Sequence, residues 1–119
     1  MVGSPKLKPI DRLVDDETIK LVSLSRQEHE HFRKLINHLG KGEASCIAYA
    51  YERNVIVVTD DRSARKHCSQ MNIPMTGTIG ILKASVLDGH IKLDQADKVL
   101  SKMTDAGFYS PLRSIADII

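Results

Sequence analysis

The run Val55-Ile56-Val57-Val58, leading directly into Thr59, Asp60 and Asp61, constrains the fold of this chain more than any other feature. Four β-branched residues without polar alternation are expected of a short strand covered on both faces in a parallel sheet. In open α/β sheets, ligands settle in the crevice beyond the carboxyl ends of the strands, so acids placed there are candidates for metal binding or chemistry. Upstream, Gly42 and Glu43 precede Ala44, Ile47, Ala48 and Tyr51, whose i, i+3, i+4, i+7 spacing marks one buried helix face. That helix carries a carboxylate in its first turn. The pattern predicts an α/β fold in which Glu43, Asp60 and Asp61 converge.

With 119 residues, the chain has the length of one domain. The 17 Lys and Arg against 15 Asp and Glu leave a net charge of +2, too little to steer polyanions globally. Any nucleic-acid contact must therefore come from local clusters. Cys46 and Cys68 fall within helix patterns and read as reduced, small buried hydrophobes. Neither a charged leader with an apolar core nor an apolar run of about 18 residues is present, so a soluble, cytoplasmic protein with no membrane contact is expected.

The remaining elements follow from local signals. Residues 1–17 read as an irregular lead-in, with Ile10, Leu13 and Val14 able to form one docking helical turn. Thr18 to Ser25 alternates well enough to suggest a strand. Ser25 with Glu28 forms a capping box ahead of a helix whose stripe is Phe32, Leu35, Ile36 and Leu39, ending at Gly40. His29, His31 and His38 fall off that stripe and read as solvated. Asp60 or Asp61 caps a polar helix over 62–72, and Ile73-Pro74-Met75 suggests a short strand. A helix opens at Thr76-Gly77-Thr78 and stops at Gly89. Asp94 is expected to cap the last long helix, which stops at Gly107. Leu112, Ile115, Ala116 and Ile119 lie on one helical face of a tail that packs back or meets a partner. Gly77 and Gly80 lack the Lys-Ser/Thr of a phosphate loop and read as a tight turn and close packing.

Three segments together resemble the PIN-like domain family, in its toxin-type, largely uncharacterised branch. They are Leu39-Gly40-Lys41-Gly42-Glu43-Ala44 with Ile47-Ala48-Tyr49-Ala50, then Val57 to Arg62, then Thr76-Gly77-Thr78-Ile79-Gly80-Ile81-Leu82. The resemblance runs from about Thr18 to the carboxyl terminus. It implies a three-layer sandwich with a short, mostly parallel sheet between helices, and a divalent-metal-dependent ribonuclease. By that likeness Glu43 and Asp61 are the catalytic and metal-binding acids, Asp60 is an additional metal ligand, and Thr59 is the accompanying hydroxyl. Mg²⁺ or Mn²⁺ is the implied cofactor, RNA the substrate, and an antitoxin protein a possible partner. The family's opening strand and its first acid have no counterpart before Thr18, where Asp11, Asp15 and Asp16 follow no apolar run. The domain therefore reads as N-terminally truncated, over 18–119, unless coding sequence upstream of Met1 supplies that strand.

In such a site, a hard divalent ion activates water for attack on a phosphodiester, and Mg²⁺ needs only one or two protein carboxylates. Lys41, Arg62, Arg65 and Lys66, with Thr59, are placed to grip an RNA backbone. Ordinary structural duties offer another account of each acid: a dipole partner for Glu43, a helix cap for Asp60 or Asp61, an ion pair between Asp61 and Arg65. An inactive remnant serving as a protein-interaction or structural module is the alternative function. Exposed sheet edges in it would favour a homo-oligomer or a strand from a partner.

Overall fold

The computed structural model describes residues 8–119. The elements run α1 (Lys8–Asp15), α2 (Arg26–Leu35), α3 (Lys41–Ala50), β1 (Val57–Val58), α4 (Arg62–Gln70), β2 (Met75–Thr76), α5 (Thr78–Leu87) and α6 (Leu93–Asp105), with a C-terminal 3-10 helix (Ile115–Ile118). β1 and β2 pair in parallel, Val57 opposite Met75 and Val58 opposite Thr76. This is an α/β architecture in which α4 is the crossover between two parallel strands, as parallel pairing requires.

The core is divided. One cluster joins α2, α3, β1 and α4 through Leu35, Ala44, Ile47, Ala48, Val57, Ala64 and Cys68. The other joins α5, α6 and the 3-10 helix through Leu82, Ala96, Leu100 and Ile115. The two-stranded ladder lies between them. Its ties are short: Val57 N–H donates to the Pro74 carbonyl at 2.9 Å and Thr59 N–H to the Thr76 carbonyl at 2.8 Å.

Local signals fixed most helix starts. Ser25 accepts from the Glu28 amide at 3.2 Å and Glu28 accepts from the Ser25 amide at 2.8 Å, completing the predicted capping box. Asp61 caps α4 by accepting from the Ala64 amide at 2.9 Å. Gly89 and Gly107 take positive φ of 78° and 109°, the left-handed stops expected of them.

Other expectations need correction. Thr18 to Ser25 is not a strand among the described residues: the Thr18 and Ile19 amides fold back onto the Leu13 carbonyl, and the alternation finds no ladder partner. The lead-in is helical from Lys8 to Asp15, and of the turn expected to dock, Ile10 and Leu13 stay exposed while Val14 is half-buried. The first part of that lead-in, residues 1–7, lies outside the described residues. β1 covers only two of the four residues expected, because β2 offers only two partners. It is also not buried on both faces: Val57 is buried, while Ile56 is 62% and Val58 59% exposed.

α2 ends at Leu35, and Gly40 instead opens α3 as its N-cap. Cys46 is exposed rather than buried; Cys68 is fully buried, which pushes its thiol pKa up. The last helix begins at Leu93, and its entry is held by Gln95 accepting from the Lys92 amide at 2.8 Å, so Asp94 is not the cap. In the tail, the 3-10 geometry eclipses i and i+3, which places Ile115 and Ile118 against the core while Ala116 and Ile119 face outward.

Candidate functional site

The three predicted acids all lie near the carboxyl end of β1, but the chain gives each a different occupation. Asp60 reaches across 18 residues to α5. Its carboxylate accepts from the Thr78 amide at 2.9 Å and from the Thr78 hydroxyl, so both oxygens are committed to the start of that helix. Gly77, the α5 N-cap, has no side chain to do this, and the acid from β1 takes the role. A Cβ at Gly77 would run into the Asp60 carboxylate, and one at Gly80 into the Thr76 hydroxyl. These two glycines therefore permit close packing of α5 against the strand ends, as the sequence suggested.

Asp61 uses one oxygen as the α4 cap, and its own amide donates to the Thr59 hydroxyl at 3.1 Å. The expected Asp61–Arg65 ion pair is not formed. Arg65 donates instead to the Thr59 carbonyl at 2.9 Å, fixing the turn after β1. Glu43 sits in the first turn of α3 with its carboxylate folded back over Gly40, where a Cβ would lie 2.7 Å from Oε2. It faces a small pocket of about 260 Å³ shared with Gly42, Cys46, Val58 and Thr59.

Asp60 borders another, larger cleft of about 730 Å³, with Arg65, Met75, Gly77, Phe108 and Tyr109. The structure thus brings Glu43 together with Thr59, and Asp60 together with Arg65, but not the acids into one group. Among the described residues, no group of three or more His, Cys, Asp or Glu side chains is placed to hold a metal ion. Lys41, Arg62 and Lys66 are exposed around the starts of α3 and α4.

The residues that sequence reasoning did not single out are Thr78, Phe108 and Tyr109. Thr78 had a legible signal, since a helix opening after glycine needs an acceptor from elsewhere. The two aromatic residues follow Gly107 without periodicity, and only the fold brings them to the cleft.

Comparison of the whole sequence with family models adds the deciding observation: the model DUF3368, described as a PIN domain, matches residues 2–119. The chain belongs to the PIN domain family. No curated protein and no solved structure gives a match. PIN domains are nuclease-type domains and in general depend on divalent metal. Helix starts engage both oxygens of Asp60 and one oxygen of Asp61, which leaves Glu43 and the second Asp61 oxygen as the predicted donors not so engaged. No helix among the described residues is long and apolar enough to cross a membrane.

Proposed function

We propose that this chain is a PIN domain of nuclease descent whose acid set is turned to structural use, and that it works as a protein-interaction module rather than by cleaving RNA alone. One observation carries the reading: both oxygens of Asp60 and one of Asp61 are held by helix starts. Releasing Asp60 to a metal would leave the α5 start uncapped, a cost of about 1 kcal/mol. Glu43 and the second Asp61 oxygen remain, but among the described residues no group of three or more His, Cys, Asp or Glu side chains is gathered around a common point.

A second reading keeps the activity. In it Glu43 and Asp61 hold Mg²⁺ or Mn²⁺, the ion supplies an activated water for RNA phosphodiester hydrolysis, and Asp60 assists as a further acid. Two features favour it: the Glu43 carboxylate accepts no hydrogen bond among the described residues, and Thr59 opens onto the same pocket. The exposed Lys41, Arg62 and Lys66 would then hold the RNA backbone, while Arg65 is occupied by the Thr59 carbonyl. A toxin role, an antitoxin partner and a cytoplasmic setting belong to this reading, by family analogy.

Incubation of single-stranded RNA with the protein and Mn²⁺ separates the two. The interaction reading predicts the same cleavage in wild type and Glu43→Gln, at background level. Cleavage by the wild type that Glu43→Gln removes would establish the second.

A further inference from the structure

His38 and His67 take part in neither reading of the acids. His38 belongs to the connection between α2 and α3, where its amide donates to the Leu35 carbonyl at 3.0 Å. His67 lies in the last turn of α4. Both backbones are anchored in the first core, His38 beside the buried Leu39 and His67 beside the buried Cys68. Their rings meet across the two elements, with centroids 6.0 Å apart and planes 30° from parallel. The ring of His67 also has a fixed tautomer: its Nδ1 lies 2.9 Å from the Ser63 carbonyl. A carbonyl oxygen only accepts, so Nδ1 carries the proton and the neutral ring presents the lone pair of Nε2. Histidines that hold metal ions are oriented in this way, one ring N–H tied to a carbonyl and the other nitrogen turned to the ion. Among the described residues, no hydrogen bond occupies that Nε2 or either ring nitrogen of His38.

We propose that His38 and His67 together bind a divalent ion of the zinc type, with water completing its shell. Imidazole suits Zn²⁺, Ni²⁺ and Cu²⁺, whereas Mg²⁺ prefers oxygen and Mn²⁺ is the weakest of its series, so the ion used tells this pair from the acids. Two rings on one tetrahedral Zn²⁺, each bound through nitrogen at about 2.0 Å, have centroids roughly 5 Å apart. His38 is exposed and His67 half-buried, so the His38 ring closes that difference by turning about its side-chain bonds toward the fixed one. No third His, Cys, Asp or Glu joins them among the described residues, which leaves the other sides of the ion to water. Lys34, Lys41 and Lys66, the charged residues nearest in sequence, are exposed, and solvent screens their repulsion. Held by both rings, the ion ties the α2–α3 connection to α4.

Titration of Zn²⁺ into the full chain, followed by NMR of the histidine ring nitrogens, tests the site. The His38 and His67 signals are expected to shift together and saturate at one ion per chain, with His29, His31 and His90 unmoved and Mg²⁺ without effect. His38→Gln and His67→Gln should each weaken Zn²⁺ binding by about tenfold or more, since even a lost outer-sphere partner costs that much at metal-bound histidine. A response from one ring alone, an equal response from all five histidines as for an adventitious ion only, or unchanged affinity in either variant would overturn the proposal. If a variant fails to fold, the wild-type spectra decide: both rings must respond at the same Zn²⁺ concentration, and separate responses count against a shared ion.

Discussion

Among the described residues, the charged side chain buried most deeply is not one of the site acids but Glu28, 4% exposed, held by Arg53 at 2.7 Å and by the Ser25 amide. Arg53 in turn lies over the Tyr49 ring, 4.3 Å from its centre. The Arg53 guanidinium and the Ser25 amide lower the Glu28 pKa from 4.5 to about 2. A depressed folded-state pKa stabilises above the unfolded value and loses that contribution as pH falls through the folded one. Thermal melts should therefore show a loss of stability between pH 4.5 and about 2 that is missing in Glu28→Gln. Arg53→Met should lower the melting temperature at pH 7 more than Glu28→Gln does, because it leaves the carboxylate unpaired.

The capping half of Glu28's role was legible in sequence, because a capping box is local. Its ion pair spans 25 residues and was not. Asp60 follows the same logic: an acid at a strand end looks like a metal ligand until the fold shows which helix start is nearby.

Among the elements, α5 depends on a strand-end acid for its start and on two glycines for its seating. Asp60→Ala should cost about 1 to 2 kcal/mol in denaturant unfolding, and Asp60→Asn less, since an amide oxygen still accepts from Thr78. Gly80→Ala should also destabilise, by pushing α5 off the Thr76 hydroxyl, and Gly80→Ala with Thr76→Ala should recover part of the loss. The tail is fastened by Asp97, which accepts from the Ser114 hydroxyl at 2.8 Å and the Ile115 amide at 2.9 Å. Ile115 is fully buried, so Ile115→Ala should cost about 2 to 5 kcal/mol.

Helices were readable here because caps and 3.6-residue stripes are written within a dozen residues. Strands were not. Whether Thr18 to Ser25 or Val55 to Val58 becomes a strand depends on a ladder partner, which no local pattern specifies, and only Val57 and Val58 found one.

At the scale of the molecule, two small cores meet at a two-stranded ladder, and Val58, on the face of β1 opposite Val57, is exposed. The PIN family assignment was legible from three ordered motifs, since the spacing of Glu43, the strand and the Thr-Gly-Thr helix start survives in sequence. The use of the acids was not, because it turns on hydrogen bonds formed only after α4 and α5 are placed. On the interaction reading, Glu43, Asp60 and Asp61 do not form a metal site in this chain. Isothermal titration of Mn²⁺ into the wild type and into Glu43→Gln, Asp61→Asn tests it most directly, the asparagine preserving the α4 cap. The expected result is no saturable binding and indistinguishable heats in the two proteins. A one-site isotherm in the wild type that disappears in the variant, with both proteins folded by circular dichroism, would contradict it.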